Sequence, residues 1–420
     1  MRSPRKPGED AVKRSVSSTL HGQPATGNGK RVLANRQSPL THRPRAQRDP
    51  PVLSRTVRSP DYSGGNLLNL VAEIEGRLGG DPPHPGLSPA LGDAVPDAAS
   101  YVLVLFDGLG DHQLDHPAAG SLRAHRAGAL DSPFPATTTV SLATISTGLS
   151  PAEHGLLGYQ LWLPGLAAIA NTIKWTTLWG EPLDIDTGRF LPARNLWERL
   201  RAAGIEPITI QPWNFEQSPM SRMLYRGARF EPWADEDDAV EAAVTLAGEP
   251  GRLVFLYVPH VDFAAHVGGQ HDEGYHEAMA IVDRLWNRLT RRLPSGAAAI
   301  GTADHGHVDI ALDRQVELPR AGQDDFILYG DIRAMLVKGD GASLAEGLPA
   351  TWVPRPQMEH WWGPGERHPE FDARAPDGVL VADDGYAILH RHSDDSLIGQ
   401  HGAPTDAELR VPLLVASGTR

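Results

Sequence analysis

Residues 101–106 read Y-V-L-V-L-F and stop at Asp107-Gly108. An apolar run without alternation suits a strand buried on both faces, the kind found in parallel sheets covered by helices on each side. Asp107 then stands at the carboxyl end of that strand. The pattern recurs: residues 252–258 (R-L-V-F-L-Y-V) and 297–303 (A-A-A-I-G-T-A) each reach an Asp within a few residues, and 205–210 and 411–416 read as further strands. Between them lie segments of helical periodicity, 66–78, 195–203 and 274–293. This alternation predicts an α/β fold with a mostly parallel central sheet flanked by helices on both faces. In such sheets ligands collect at the carboxyl ends of the strands, where these Asp residues fall.

The composition narrows the chemistry. The chain has 420 residues and no cysteine, which excludes disulfides, thiolate metal sites and Cys nucleophiles; any metal must be held by His, carboxylate and other oxygen ligands. The net charge of −13 is unevenly spread. Residues 1–58 hold 13 of the 39 basic but only 3 of the 52 acidic residues, leaving 26 against 49, a balance of −23, for the remainder. An acidic body argues against a surface for duplex nucleic acid. Residues 1–63 read as a disordered basic tail, with a nucleic-acid or membrane-surface arm as the alternative, and 64–420 as one catalytic domain. Residues 1–63 hold no stretch of the about 7 to 15 apolar residues of a secretory leader, and no segment elsewhere approaches the about 18 of a membrane span. The expectation is a cytoplasmic protein with no membrane association and no evident protein partner. Two Trp-rich stretches, 156–190 and 324–396, fit the alternation poorly and read as insertions. They either border the site or pack peripherally.

Six potential metal ligands lie at the ends of apolar runs: Asp107, Asp262, His266, Asp304, His305 and His401. Singly, each has a bland reading as a strand cap, a surface pair, a turn or a loop histidine. Jointly, carboxylates gathered at one sheet edge repel and need cations nearby, so a site for two divalent ions is the natural reading. Residues 132–159 (S-P-F-P-A-T-T-T-V-S-L-A-T-I-S-T-G-L-S-P-A-E-H-G-L-L-G-Y) add a loop feeding a helix, which sets a threonine near backbone N–H groups that favour an anion, or merely provides an N-cap.

The order of these motifs resembles the alkaline phosphatase superfamily: a strand ending in D-G (107–108), a Thr followed by T-G-L-x-P-x-x-H-G (138–155), D-x-x-x-H (262–266), D-H-G (304–306) and a late H-G (401–402). Within it, the chain is most similar to the type I phosphodiesterase/nucleotide pyrophosphatase branch, over residues 100–416. The resemblance implies an alkaline phosphatase-like fold with one ion on Asp107, Thr138, Asp304 and His305 and a second on Asp262, His266 and His401. Mixed carboxylate and imidazole ligands suit Zn²⁺, with Mn²⁺ as the alternative. It also implies that Thr138 is the nucleophile, activated by an ion and passing through a phosphothreonine. Thr137 and Thr139 are set aside only by the register with Thr147-Gly148-Leu149.

Many members of the branch carry Asn three residues after the nucleophile, on a phosphoryl oxygen. Here the position is Ser141, a shorter side chain with one donor, expected as the substrate contact. The implied activity is hydrolysis of a small phosphate ester, diesters or nucleotide pyrophosphates ahead of monoesters. A phosphatase, a phosphonate hydrolase, a phosphomutase and an inactive binding member are the alternatives. His112, His154, His260, His271 and His307 are expected outside the ligand sets.

Overall fold

Seven strands build the central sheet of the computed structural model, which describes residues 57–319 and 323–419. They are β1 (Ser100–Phe106), β2 (Arg126–Asp131), β3 (Glu206–Pro212), β4 (Arg229–Trp233), β5 (Arg252–Val258), β6 (Ala297–Thr302) and β7 (Arg410–Ser417), in the order β2-β7-β6-β1-β5-β3-β4. All pairings from β6 across to β4 are parallel, and only β7 runs against its two neighbours. β1 is in register with both flanking strands, Phe106 opposite Val258 and Leu105 opposite Thr302, so the chain leaves β1, β5 and β6 along one edge.

Every residue of β1 is buried, which requires cover on both faces of the sheet. Two groups of helices provide it. One comprises α1 (Leu67–Arg77), α2 (Thr138–Thr147) and α3 (Leu196–Ala202), with α2 packed on the other two. The second comprises α4 (Glu236–Ala247), which packs on β1 and β5, α5 (His260–Gly268), and α6 (Glu273–Arg292), which joins α4 and α5. α6 is held by one apolar stripe, Tyr275, Met279, Val282, Trp286 and Leu289, all buried, at the spacing its sequence displays. Full burial of each such side chain contributes about 1.5–3 kcal/mol.

The two Trp-rich stretches form sheets of their own. One is a three-stranded antiparallel sheet of Gln160–Leu163, Ala168–Asn171 and Thr176–Thr177; the other has four antiparallel strands, Ile327–Asp331, Ala334–Lys338, Ala350–Pro354 and Gly378–Ala382. Trp175, Trp361 and Trp362 are buried in the core, so these three serve packing; Trp179 is exposed, edge-on to His392.

The expected start of order at Gly64 is too late. Val57 bridges to Thr405, the Tyr62 hydroxyl donates to the Trp361 carbonyl at 2.9 Å, and the Arg58 guanidinium holds the buried Asp131 carboxylate at 2.7 Å. The buried carboxylate, which also accepts the Asp61 N–H at 2.8 Å, fixes this arginine, a partner 73 residues away that composition does not reveal. Residues 1–56 of the expected tail lie outside the described residues. No helix among the described residues is long and apolar enough to cross a membrane.

Candidate active site

The edge where β1, β5 and β6 end gathers all six expected ligands. Asp107 follows β1 directly, and its backbone N–H donates to the Val258 carbonyl at 3.0 Å. Asp262 sits in the first turn of α5, its N–H bonded to the Asp107 carbonyl at 3.0 Å. Asp304 and His305, both fully buried, follow β6. Gly108 makes the close approach possible: it has φ +74°, and a Cβ there would lie 2.8 Å from the Asp262 Cα and from the His307 ring.

Three histidines are oriented by one device. Nδ1 of His266 donates to the Gly399 carbonyl (2.7 Å), that of His305 to the Gly306 carbonyl (3.1 Å) and that of His401 to the Ala136 carbonyl (2.8 Å). A carbonyl only accepts, so each Nδ1 carries a proton and Nε2 is the nitrogen turned to the site, a ligand whenever the ring is neutral. The Nε2 atoms of His266 and His305 point to carboxylates: His266 is 3.2 Å from Asp262, and His305 is 3.6 Å from both Asp107 and Asp304. The His401 ring stacks on His305 with centroids 3.6 Å apart.

Thr138 is the first residue of α2, and of the three consecutive threonines it alone is half-buried rather than buried. Its Oγ1 lies 3.2 Å from His305 Nε2 and 3.5 Å from Asp107 Oδ1. The Thr137 hydroxyl donates to Asp331 and that of Thr139 accepts from Thr172, so neither meets these ligands. Ser141 is a correction. Its buried hydroxyl donates to the Asp304 carbonyl at 2.8 Å, which uses its one proton on the scaffold and leaves none for a substrate oxygen.

Two participants escaped the sequence reading. His307, expected outside the ligand sets, is fully buried with Nε2 2.9 Å from Asp262 Oδ1. The Tyr257 hydroxyl donates a short hydrogen bond to Asp107 Oδ2. The available signal for Tyr257 was one hydroxyl in an otherwise apolar strand; for His307 it was adjacency to D-H-G.

Electrostatically the cluster is unbalanced. Burial, then the Asp304 and Asp262 charges, push the Asp107 carboxyl well above its usual range. Burial pushes Asp262 the same way, but the imidazoles of His266 and His307 outweigh it and hold that carboxyl well below its usual range. Asp304 Oδ2 is buried and has no hydrogen-bond partner. Ligand atoms of Asp107, Asp304 and His305 lie within 4.8 Å of one another, as do those of Asp262, His305 and His401, and those of Asp262, His266 and His307. Buried carboxylates, an orphaned oxygen and imidazole nitrogens facing inward fit divalent cations.

The sequence profile described as type I phosphodiesterase / nucleotide pyrophosphatase matches residues 101–404. Human ectonucleotide pyrophosphatase/phosphodiesterase family member 5 is 23% identical over 218 residues, 50% of this chain and 43% of that protein, so the match spans less than half of the relative's length. Among solved structures, murine ectonucleotide pyrophosphatase/phosphodiesterase 5 superposes with a TM-score of 0.58 at 21% identity, covering 76% of this chain and 88% of that one. An inactive threonine-to-alanine variant of the murine protein, in complex with AMP, gives 0.57 at 21% identity over 76% and 87%. Phosphonoacetate hydrolase from Sinorhizobium meliloti 1021, in complex with phosphonoacetate, gives 0.56 at 18% identity over 78% and 91%.

Proposed function

The chain belongs to the type I phosphodiesterase/nucleotide pyrophosphatase family, and on that premise we propose that it is a phosphoric ester hydrolase working through Thr138 and two divalent cations. Asp107, Thr138, Asp304 and His305 would hold one ion and Asp262, His266 and His401 the other, with Zn²⁺ the best match to mixed nitrogen and oxygen ligands and Mn²⁺ next. When bound, such ions lower the pKa of a hydroxyl and neutralise phosphoryl charge.

The chain's own residues supply the rest. Thr138 Oγ1 attacks phosphorus in line with the leaving oxygen, which departs with the electron pair of the broken P–O bond while the hydroxyl proton passes to solvent. Its place at the start of α2 puts the developing charge on phosphoryl oxygens near the helix's first N–H groups. Water then attacks the phosphothreonine; the bond to Thr138 breaks and its hydroxyl is restored. Tyr257 and His307 hold the Asp107 and Asp262 carboxylates in place through their hydrogen bonds.

The observation that carries this reading is the Thr138 hydroxyl 3.2 Å from His305 Nε2, beside the unpartnered Asp304 oxygen. The inactive threonine variant of the murine relative supports it, and AMP on that protein favours nucleotide esters as the substrate class. The test uses p-nitrophenyl thymidine monophosphate, bis-p-nitrophenyl phosphate and p-nitrophenyl phosphate. Thr138→Ala is expected to lose at least about a thousandfold in turnover with most of its metal retained. Asp304→Ala is expected to lose metal and activity together. Wild-type rates in Thr138→Ala would remove the nucleophile assignment, and failure of the parent chain on all three esters with either metal would remove the hydrolase reading.

A further inference from the structure

The tip of the hairpin joining Ile327–Asp331 to Ala334–Lys338 reaches the site from outside the central sheet. Asp331 Oδ1 accepts a hydrogen bond from Thr137 Oγ1 at 3.4 Å, one residue before Thr138. On its other side the Asp331 Cβ would lie 2.6 Å from a Cβ placed on Gly402, the residue after His401. The carboxyl therefore stands between the two loops that carry Thr138 and His401.

Of its neighbours, the Glu408 carboxylate adds to its charge and the His266 imidazole opposes it, the smaller of the two influences. Oδ2 is shielded from solvent and has no hydrogen-bond partner. Arg333, two residues on, is directed elsewhere: Nη2 binds Glu408 at 3.0 Å and Nη1 binds the Asp383 carbonyl at 2.9 Å. Glu408 in turn accepts from the Ala403 N–H at 3.0 Å and the Thr405 hydroxyl at 2.6 Å, which fastens the hairpin to the loop following His401. Asp331 thus has one long hydrogen bond and no ion pair among the described residues. Burial pushes its pKa up to about 7, as expected of a carboxyl without enough partners.

We infer that Asp331 is the specificity-determining carboxyl of this site, its charge disfavouring doubly charged phosphate monoesters so that singly charged phosphodiesters are the preferred substrates. The inference rests on the hydrolase reading above. One further negative charge beside a carboxylate without an ion-pair partner in a partly buried site shifts relative affinity by about tenfold.

Asp331→Asn keeps the shape and removes the charge. In the full, Zn²⁺-loaded chain at about pH 8.5, far above the ordinary carboxylate range, the ratio of kcat/KM for p-nitrophenyl phosphate to that for bis-p-nitrophenyl phosphate is expected to rise about tenfold, a difference of about 1.4 kcal/mol. Inorganic phosphate, titrated calorimetrically, is expected to bind about tenfold tighter. An unchanged ratio and unchanged phosphate affinity at wild-type metal content overturn the inference. So does loss of metal together with both activities, which would make Asp331 a support for the metal loops. If the parent chain turns over no ester, the hydrolase reading fails while the phosphate titration still decides Asp331: tighter binding in the variant supports it, and equal binding overturns it.

Discussion

Each site histidine whose Nδ1 is fixed on a carbonyl presents its Nε2 to the site, and His154 is also fixed by hydrogen bonds, away from the ligand cluster. Its Nδ1 accepts the Leu156 N–H and its Nε2 meets the Thr144 hydroxyl, both at 3.2 Å, so the buried ring is neutral. Burial, and then the nearby His368, push its pKa down to about 3. The unfolded chain takes up this proton below about pH 6.5 while the folded chain does not, so stability is complete above that pH and falls as pH drops towards 3. By pH 5 the loss from this group is about 2 kcal/mol. Urea unfolding at pH 7 and pH 5 is expected to show a smaller difference for His154→Gln than for the parent, after the general cost of the substitution. Equal differences in the two proteins would dismiss the role of His154. Ser141 gives the complementary lesson. Its position in the motif was legible in the sequence, but the direction of one hydroxyl was not, because the carbonyl it binds lies 163 residues away.

Two local elements set the site's geometry, the D-G turn after β1 and the start of α2. At the turn, Gly108 combines a positive φ with backbone contact to Asp262 and ring contact to His307. Gly108→Ala adds about 1–2 kcal/mol of backbone strain and must displace one of those neighbours. The expected outcome is a loss of at least about a hundredfold in kcat/KM, since small displacements of catalytic groups cost that much, accompanied by reduced metal content on elemental analysis. Activity and metal content within twofold of the parent would show that the close approach is dispensable. At α2, the sequence offered three threonines and a register. The helix start separates them, because Thr137 precedes it as the N-cap, Thr139 turns inward to Thr172, and Thr138 faces the cluster.

Across the whole molecule, cations bound to residues from β1, α2, α5, the end of β6 and the loop before β7 would tie distant segments together, so metal binding and stability should be linked. A free-ion concentration about 100-fold above Kd contributes about 2.7 kcal/mol per site. Chelation is expected to lower Tm by several degrees and added Zn²⁺ to restore it, read by differential scanning fluorimetry; an unchanged Tm would count against the ion pair. The sequence by itself determined the α/β class, the sheet edge as the place for a site, and the residue types that meet there, because buried strands leave an unbroken apolar run and a terminal Asp. The tertiary structure alone decided that His307 and Tyr257 join the cluster, that Ser141 turns away from it, and that Asp331 enters from a separate sheet. Those contacts bridge up to about 200 residues of chain, where strand order and hairpin packing set the distances and no local pattern records them.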